Sequence, residues 1–401
     1  MRKIFLNQPC FGKEEINAAY KSLKNLRLSQ GIKVREFEHS FSSYIGCKYG
    51  IATNSGSSAN LIALAALKEY YKIPNGSEVI IPATTFATVA MPIIQIGLKP
   101  VYIDVSLETL NIDCDELEAA ISKKTKIIMP VHTLGLPTHI DKIKKIAKKN
   151  KLIIFEDCCE AHGASINSKK VGSFGEISAF SFFVAHNITT GEGGMVLTNN
   201  KKLMLICRSL REFGRVDQQI SNENKRFINT KKLKKFDRRY VFERLGYNMR
   251  MTDIAGSIGV EQTKKLDLLN KIRVDNAKYL TTELEKNFKN IFYFQKYDKS
   301  YYHCFYGFPI SISQKYKIDR HKFLLYLEKM GIETRPIFAG CLPDQPAFEK
   351  EIGKSFGKLK NSRIIKNNSF FIGIHPKLKK RDLNYIINIF KKYLKKINFH
   401  F

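Results

Sequence analysis

Short runs of consecutive apolar residues alternate with longer amphipathic stretches through the first half of the chain. Glu78–Pro82, Pro100–Asp104, Lys126–Val131 and Leu152–Glu156 are such runs. Each suits a strand covered on both faces of a parallel sheet. Between them lie segments of helical length, Ser57–Tyr71, Phe86–Ile96, Asp113–Ser122 and Ile140–Asn150. Strand and helix in regular alternation predict α/β crossovers and a mostly parallel central sheet, with ligands at the carboxyl ends of its strands. Ile177–Phe183 and Met195–Thr198 read as further strands, and a long helical pattern starts at Thr252 and runs towards Leu284. The organisation then changes. Cys304–Ser313 reads as a strand, Arg320–Met330 as a helix and Arg381–Ile397 as a lysine-rich final helix. The pattern predicts a large domain with its N-terminal segment over residues 1–269 and a smaller C-terminal α/β domain over 270–401.

Composition changes this picture little. The chain has 401 residues, 44% of them hydrophobic, enough for sizeable cores. The net charge of +30 raises the question of nucleic acid or a membrane surface. The lysines are scattered along the chain, so neither partner is expected. The densest run, Lys231–Arg239, reads as a flexible loop. No apolar run approaches the ~20 residues of a membrane span, and Gln8 and Pro9 interrupt any apolar leader after the start. The eight cysteines form no CxxC pair, so no metal site is expected, and a cytoplasmic protein with reduced thiols is the simplest expectation.

Four segments carry candidate chemistry. Asn54–Ala59 (NSGSSA) falls where a strand ends and a helix begins. Gly56 allows close backbone approach, and Ser57 and Ser58 bring hydroxyls beside unpaired helical amides, a setting suited to a phosphate. An ordinary serine N-cap gives the same pattern. Asp157, in Glu156–Gly163, closes a central strand, where a carboxylate needs a cation or donors. Strand-end capping is the alternative. Phe86 follows a Pro-Ala-Thr-Thr turn, where an aromatic either stacks on a ring or fills core. The most specific segment is Ser178–Gly194 (SAFSFFVAHNITTGEGG).

That last segment resembles the signature of fold type I pyridoxal-phosphate (PLP) enzymes, aspartate aminotransferase-like in fold, that act on nucleotide-linked keto-sugars. The family carries a Ser-Phe pair, a lysine a few residues on, then Gly-Glu-Gly-Gly. Here the lysine position holds His186, and no lysine occurs between Glu176 and Thr198. The resemblance extends to Ser29-Gln30-Gly31, the Asn54–Ala59 segment, Glu156–Gly163, Gly246–Met251, Gly331–Pro336 and Ile372–Pro376. It implies a cofactor phosphate held by Gly56, Ser57 and Ser181, a ring stacked on Phe86 and a pyridine nitrogen at Asp157. It also implies a homodimer in which Asn248 reaches the other subunit's cofactor.

Histidine at the lysine position resembles the 3-dehydratase branch of that family, as do Glu160, where aminotransferases usually carry Gln, and Glu333-Thr334-Arg335. The implied substrates are L-glutamate and a nucleotide-linked 4-keto-6-deoxy hexose or heptose, with GDP favoured. An imidazole cannot hold PLP covalently but can serve as a base near neutral pH. His186 is thus expected to move a proton at the C4′ carbon of the pyridoxamine form while the sugar's C3 hydroxyl leaves, giving a 3-deoxy-4-keto sugar and ammonia. Arg250 and Arg335 are candidates for the donor carboxylate or the diphosphate, since their fork geometry suits both. His132 and His162 are candidates for contact or for structure. One relative in the branch binds a two-iron cluster through closely spaced cysteines. Cys207, Cys304 and Cys341 are not so spaced, so no iron–sulfur reductase partner is expected. A nucleotide-sugar aminotransferase and a catalytically silent PLP-binding relative are the alternatives.

Overall fold

A computed structural model describes residues 2–26, 28–216, 226–349 and 353–397. Helices α1 (Lys13–Lys24) and α2 (Ile32–Ile45) precede β1 (Tyr49–Thr53) and α3 (Gly56–Tyr70). The crossover region follows as β2 (Glu78–Pro82), α4 (Ala87–Gln95), β3 (Lys99–Ile103), α5 (Cys114–Ala119), β4 (Thr125–Ile128), α6 (Ile140–Asn150) and β5 (Ile153–Asp157). Then come β6 (Ile177–Ser181), β7 (Gly194–Thr198), α7 (Lys201–Arg211) and the 35-residue helix α8 (Asp253–Asn287).

These strands build an 8-stranded sheet in the order β1-β7-β6-β5-β4-β2-β3, closed at its edge by Lys354–Ser355. Among the described strands of this sheet, only β7 runs against the rest, pairing antiparallel with both β1 and β6. The apolar runs are buried on both faces. Along β2, Val79 and Ile81 join one hydrophobic cluster with α3 and α4, while Ile80 joins another with α5 and α6.

The smaller module has a sheet that pairs Phe308–Ile312 with Phe292–Tyr293 and Ser369–Ile372, and Ser369–Ile372 with Thr334–Arg335. Helices Arg320–Lys329 and Lys380–Lys396 pack on it. Its core includes Ile4 from the N-terminus and Ala277 from α8. The expected division at 269/270 falls inside α8, and Lys354–Ser355 returns to the large sheet.

Two local expectations are corrected. The strand expected over Cys304–Ser313 begins only at Phe308, because Phe305 takes a left-handed backbone (φ 47°) and the carbonyls of Phe305 and Tyr306 are drawn to Arg273. The Lys231–Arg239 run is in part a short hairpin, Phe227–Ile228 against Phe236–Asp237, fastened by Arg226 and Arg239 on Asp237. Among the described residues no helix is long and apolar enough to cross a membrane.

Candidate active site

The carboxyl ends of the central strands open into a cavity of about 380 Å³, within the usual range for small-ligand sites. Gly56, Ser57, Phe86, Asp157, Glu160, Ser181 and His186 all line it. Seven positions scattered over more than a hundred residues of sequence thus share one space.

Helix α3 sets one side. Ser55 is its N-cap, accepting from the Ser58 amide at 3.1 Å, so the capping alternative holds for Ser55. Gly56 and Ser57, in the first helical turn, are left facing the cavity with amides that the helix does not use. Glycine is required at 56, since a Cβ there would lie 2.5 Å from Cβ of Ser181. One turn further along the same face, Asn60 donates to Oδ2 of Asp157 at 2.9 Å. The same short stretch of helix therefore shapes the anion cradle and holds the carboxylate.

Strand alternation separates two adjacent carboxylates. Asp157 faces the cavity and Glu156 the opposite side. Burial raises the Asp157 carboxyl above its usual range, against the donors Cys159 and Asn60. Glu156 accepts from the Gly172, Phe174 and Gly175 amides at 2.7–2.9 Å and from Nε2 of His132 at 3.2 Å. His132 is fully buried, and its Nδ1 accepts from the Thr138 amide, so its role is structural.

The hairpin connection between β6 and β7 carries His186. Because β7 turns straight back beside β6, residues 182–193 stay at the carboxyl end of the sheet. The half-buried His186 ring packs 5.6 Å from the ring of His162 and 5.2 Å from that of Tyr306. Its Nδ1 is enclosed without a hydrogen-bond partner. Burial, then the neighbouring His162 and Arg273, holds its pKa well below the ordinary value, so the neutral imidazole prevails. His162 is fully buried and is likewise pushed down, to about 3. Across the cavity, burial lifts Glu160 to about 8, although Oε2 accepts from the Leu134 amide at 2.9 Å.

The remaining expected residues do not line this cavity. Asn248 and Arg250 bond each other, Nε to Oδ1 at 3.2 Å, and Arg250 lines a separate polar cleft with Arg208, Arg211 and Arg215. Arg335 is exposed on its strand and acts electrostatically on Tyr306. Sequence reasoning missed Tyr306, because the strand expected over Cys304–Ser313 ran across it. It also passed over Phe183, Glu192 and Phe338.

The lining fits PLP. Gly56, Ser57 and Ser181 form a neutral cradle at a helix N-terminus, suited to a phosphate. Phe86 is 56% exposed, an unburied aromatic face on the cavity wall. Asp157 is a buried carboxylate with no lysine or arginine among the described lining residues, which a protonated pyridine nitrogen would complement.

A mostly parallel α/β sheet with this constellation at its carboxyl edge defines a PLP enzyme of the aspartate aminotransferase-like fold. The chain belongs to the DegT/DnrJ/EryC1/StrS aminotransferase family, whose profile matches residues 9–391. It is 33% identical to a GDP-4-keto-6-deoxy-D-mannose 3-dehydratase of Yersinia pseudotuberculosis, over 98% of this chain and 100% of that one. It is 31% identical to a GDP-perosamine synthase of Vibrio cholerae over 77% of each. The structure superposes with a TM-score of 0.89 on a GDP-4-keto-6-deoxymannose-3-dehydratase with a trapped PLP-glutamate geminal diamine, at 28% identity, covering 96% of this chain and 100% of that one.

Proposed function

We propose that this enzyme removes the C3 hydroxyl of a nucleotide-linked 4-keto-6-deoxy sugar, GDP-linked by preference, with L-glutamate as the source of electrons. The observation that carries the reading is the cavity lining: it includes His186 and, among the described residues, no lysine. PLP supplies an electron sink and, in its amine form, a group that condenses with the sugar's ketone. Gly56, Ser57 and Ser181 hold the phosphate, Phe86 carries the ring and Asp157 keeps the ring nitrogen protonated. Asn248 acts from a second subunit of a homodimer.

With no covalent anchor, retention of the cofactor rests on those contacts. A neutral His186 has one ring nitrogen with a free lone pair, which can take a proton at the cofactor's C4′ carbon. The resulting imidazolium can return a proton to the departing C3 oxygen. Glu160, held largely neutral at pH 7, keeps a second negative charge away from Asp157. The balance closes without an outside reductant. Glutamate becomes 2-oxoglutarate and ammonia, giving up two electrons, and the C3–OH carbon becomes CH2 by accepting them.

The test incubates the protein with PLP, L-glutamate and GDP-4-keto-6-deoxymannose. The expected products are ammonia and a sugar with one oxygen fewer, read by mass spectrometry. A 4-amino sugar would instead support the aminotransferase reading. Absence of turnover across a panel of nucleotide-linked keto-sugars would favour a silent relative. A heptose substrate would emerge from the same panel.

A further inference from the structure

Among the described residues, the largest fully buried side chain is a cation without a counterion. Arg273, on α8, is 1% exposed. Its Nη1 donates to the carbonyls of Phe305 at 3.3 Å and Tyr306 at 3.2 Å, and Nη2 donates to Oδ1 of Asn7 at 2.9 Å. Among the described residues, Nε has no partner and no carboxylate is among the groups that act on this guanidinium. A buried charge satisfied only by neutral oxygens is costly, and removing its burial would be easy for a chain with a free choice at this position.

What Arg273 holds is the His186 site from two sides. Asn7, whose oxygen it grips, turns its amide to the carbonyls of Val184 at 3.0 Å and His186 at 3.3 Å. Tyr306, whose carbonyl it grips, packs its ring against His186. One turn back on the same face of α8, Asn270 bonds Asn187 at 2.8 Å and the His162 carbonyl at 2.7 Å. Further back, Gln262 accepts from the Thr189 amide at 3.2 Å. The helix thus grips the hairpin connection at successive points, with Arg273 at the histidine.

We propose that Arg273 is a positioning residue of the catalytic site, tying the backbone of His186 and the Tyr306 ring that faces it to one buried cation. Its charge has a second effect. The groups facing His186 are the rings of His162 and Tyr306, Glu160 and Glu192 on the cavity walls, and Arg273 behind the connection. Glu160, held largely neutral, adds little charge there, whereas a carboxylate at Glu192 would favour an imidazolium. The uncompensated guanidinium opposes it and so helps to keep the base free before proton transfer. An arginine suits this place because it stays charged where a lysine would neutralise on burial.

The proposal rests on the reading of His186 as the base, and its test does not depend on turnover. The His186 imidazole is titrated by NMR in the full-length protein with ring-labelled histidine, with and without added PLP, using His186→Asn to assign the resonance. Arg273→Gln keeps donors and removes the charge. The His186 midpoint is expected to rise by about one pH unit, and to rise likewise in Arg273→Lys, whose buried amine would lose its charge. Asn7→Ala breaks the link without altering the buried helix. Amide exchange at residues 183–187 is expected to quicken about ten-fold, with α8 unchanged. An unmoved midpoint in folded Arg273→Gln overturns the proposal, as does unmoved exchange in Asn7→Ala, which decides the matter if the arginine variants do not fold. A wild-type enzyme without dehydratase turnover would overturn the functional reading and leave these two measurements standing.

Discussion

The imidazole of His186 and the phenol of Tyr306 face each other on the cavity wall, with ring centroids 5.2 Å apart and planes inclined at 46°. One stands on the connection between β6 and β7, the other just before the first long strand of the smaller module. Burial is the leading cause of the depressed His186 value. Tyr306→Phe keeps the ring, so the melting temperature should stay within about 2 °C and the His186 midpoint should not move. Tyr306→Ala admits water beside the imidazole, and the midpoint should rise. An NMR titration that finds the same midpoint in both variants would show that the tyrosine ring does not shield the base.

Glu160 gives the site a pH signature in stability. Its folded value is raised from 4.5 to about 8, mainly by burial. The neutral carboxyl is therefore favoured in the folded state. This contribution is fully present below pH ~4.5 and is lost as pH rises through about 8. Glu160→Gln is neutral throughout. In thermal melts of the cofactor-free protein from pH 5 to 9, the wild type should fall relative to the variant as pH rises. Parallel curves would mean that the carboxyl is solvated in the folded protein.

Glu156 is expected to be structural despite its place beside Asp157. Burial pushes its carboxyl up, and His132 with the Gly172 and Gly175 amides outweighs that effect, leaving it below the ordinary value. Glu156→Ala strands those donors, and urea unfolding should show a loss of about 3–5 kcal/mol. Glu156→Gln retains acceptor capacity for some of them and should cost less. Near-wild-type stability in the alanine variant would contradict the hydrogen-bond assignment.

Asn248 lies outside its own cavity, as a residue serving a partner's site would. His186→Asn and Asn248→Ala should each lose at least about a hundred-fold in turnover when pure, the usual scale for a lost catalytic base or an essential contact. Co-expressed in one cell, they should recover about one quarter of wild-type turnover, since random pairing of two subunits gives half heterodimers, each with one intact site. No recovery in a mixture shown to contain heterodimers would mean that each subunit supplies its own complete site.

The cavity-lining part of the site was legible because its residues sit at strand ends and helix starts. Asp157 ends β5, Ser181 ends β6, and Gly56 and Ser57 open α3. In a parallel sheet those positions converge on one edge whatever the loops do. The strand and helix order was equally legible, since strands covered on both faces are written as unbroken apolar runs. Asn248, Arg250 and Arg335 were legible as motifs and not as members of this cavity, because their place depends on contacts beyond their own segments.

The sequence by itself determined that an imidazole stands where a lysine is expected, and that it does so between intact phosphate and ring motifs. That is a matter of residue identity and order. Only the tertiary structure decided what state the imidazole is in. His186 has His162, Tyr306 and Arg273 as neighbours because α8 runs across the boundary expected at 269/270 and pulls the Phe305–Tyr306 carbonyls and Asn7 together. Proton affinity follows from burial and nearby charge, and both are set by distances that no local pattern of residues encodes.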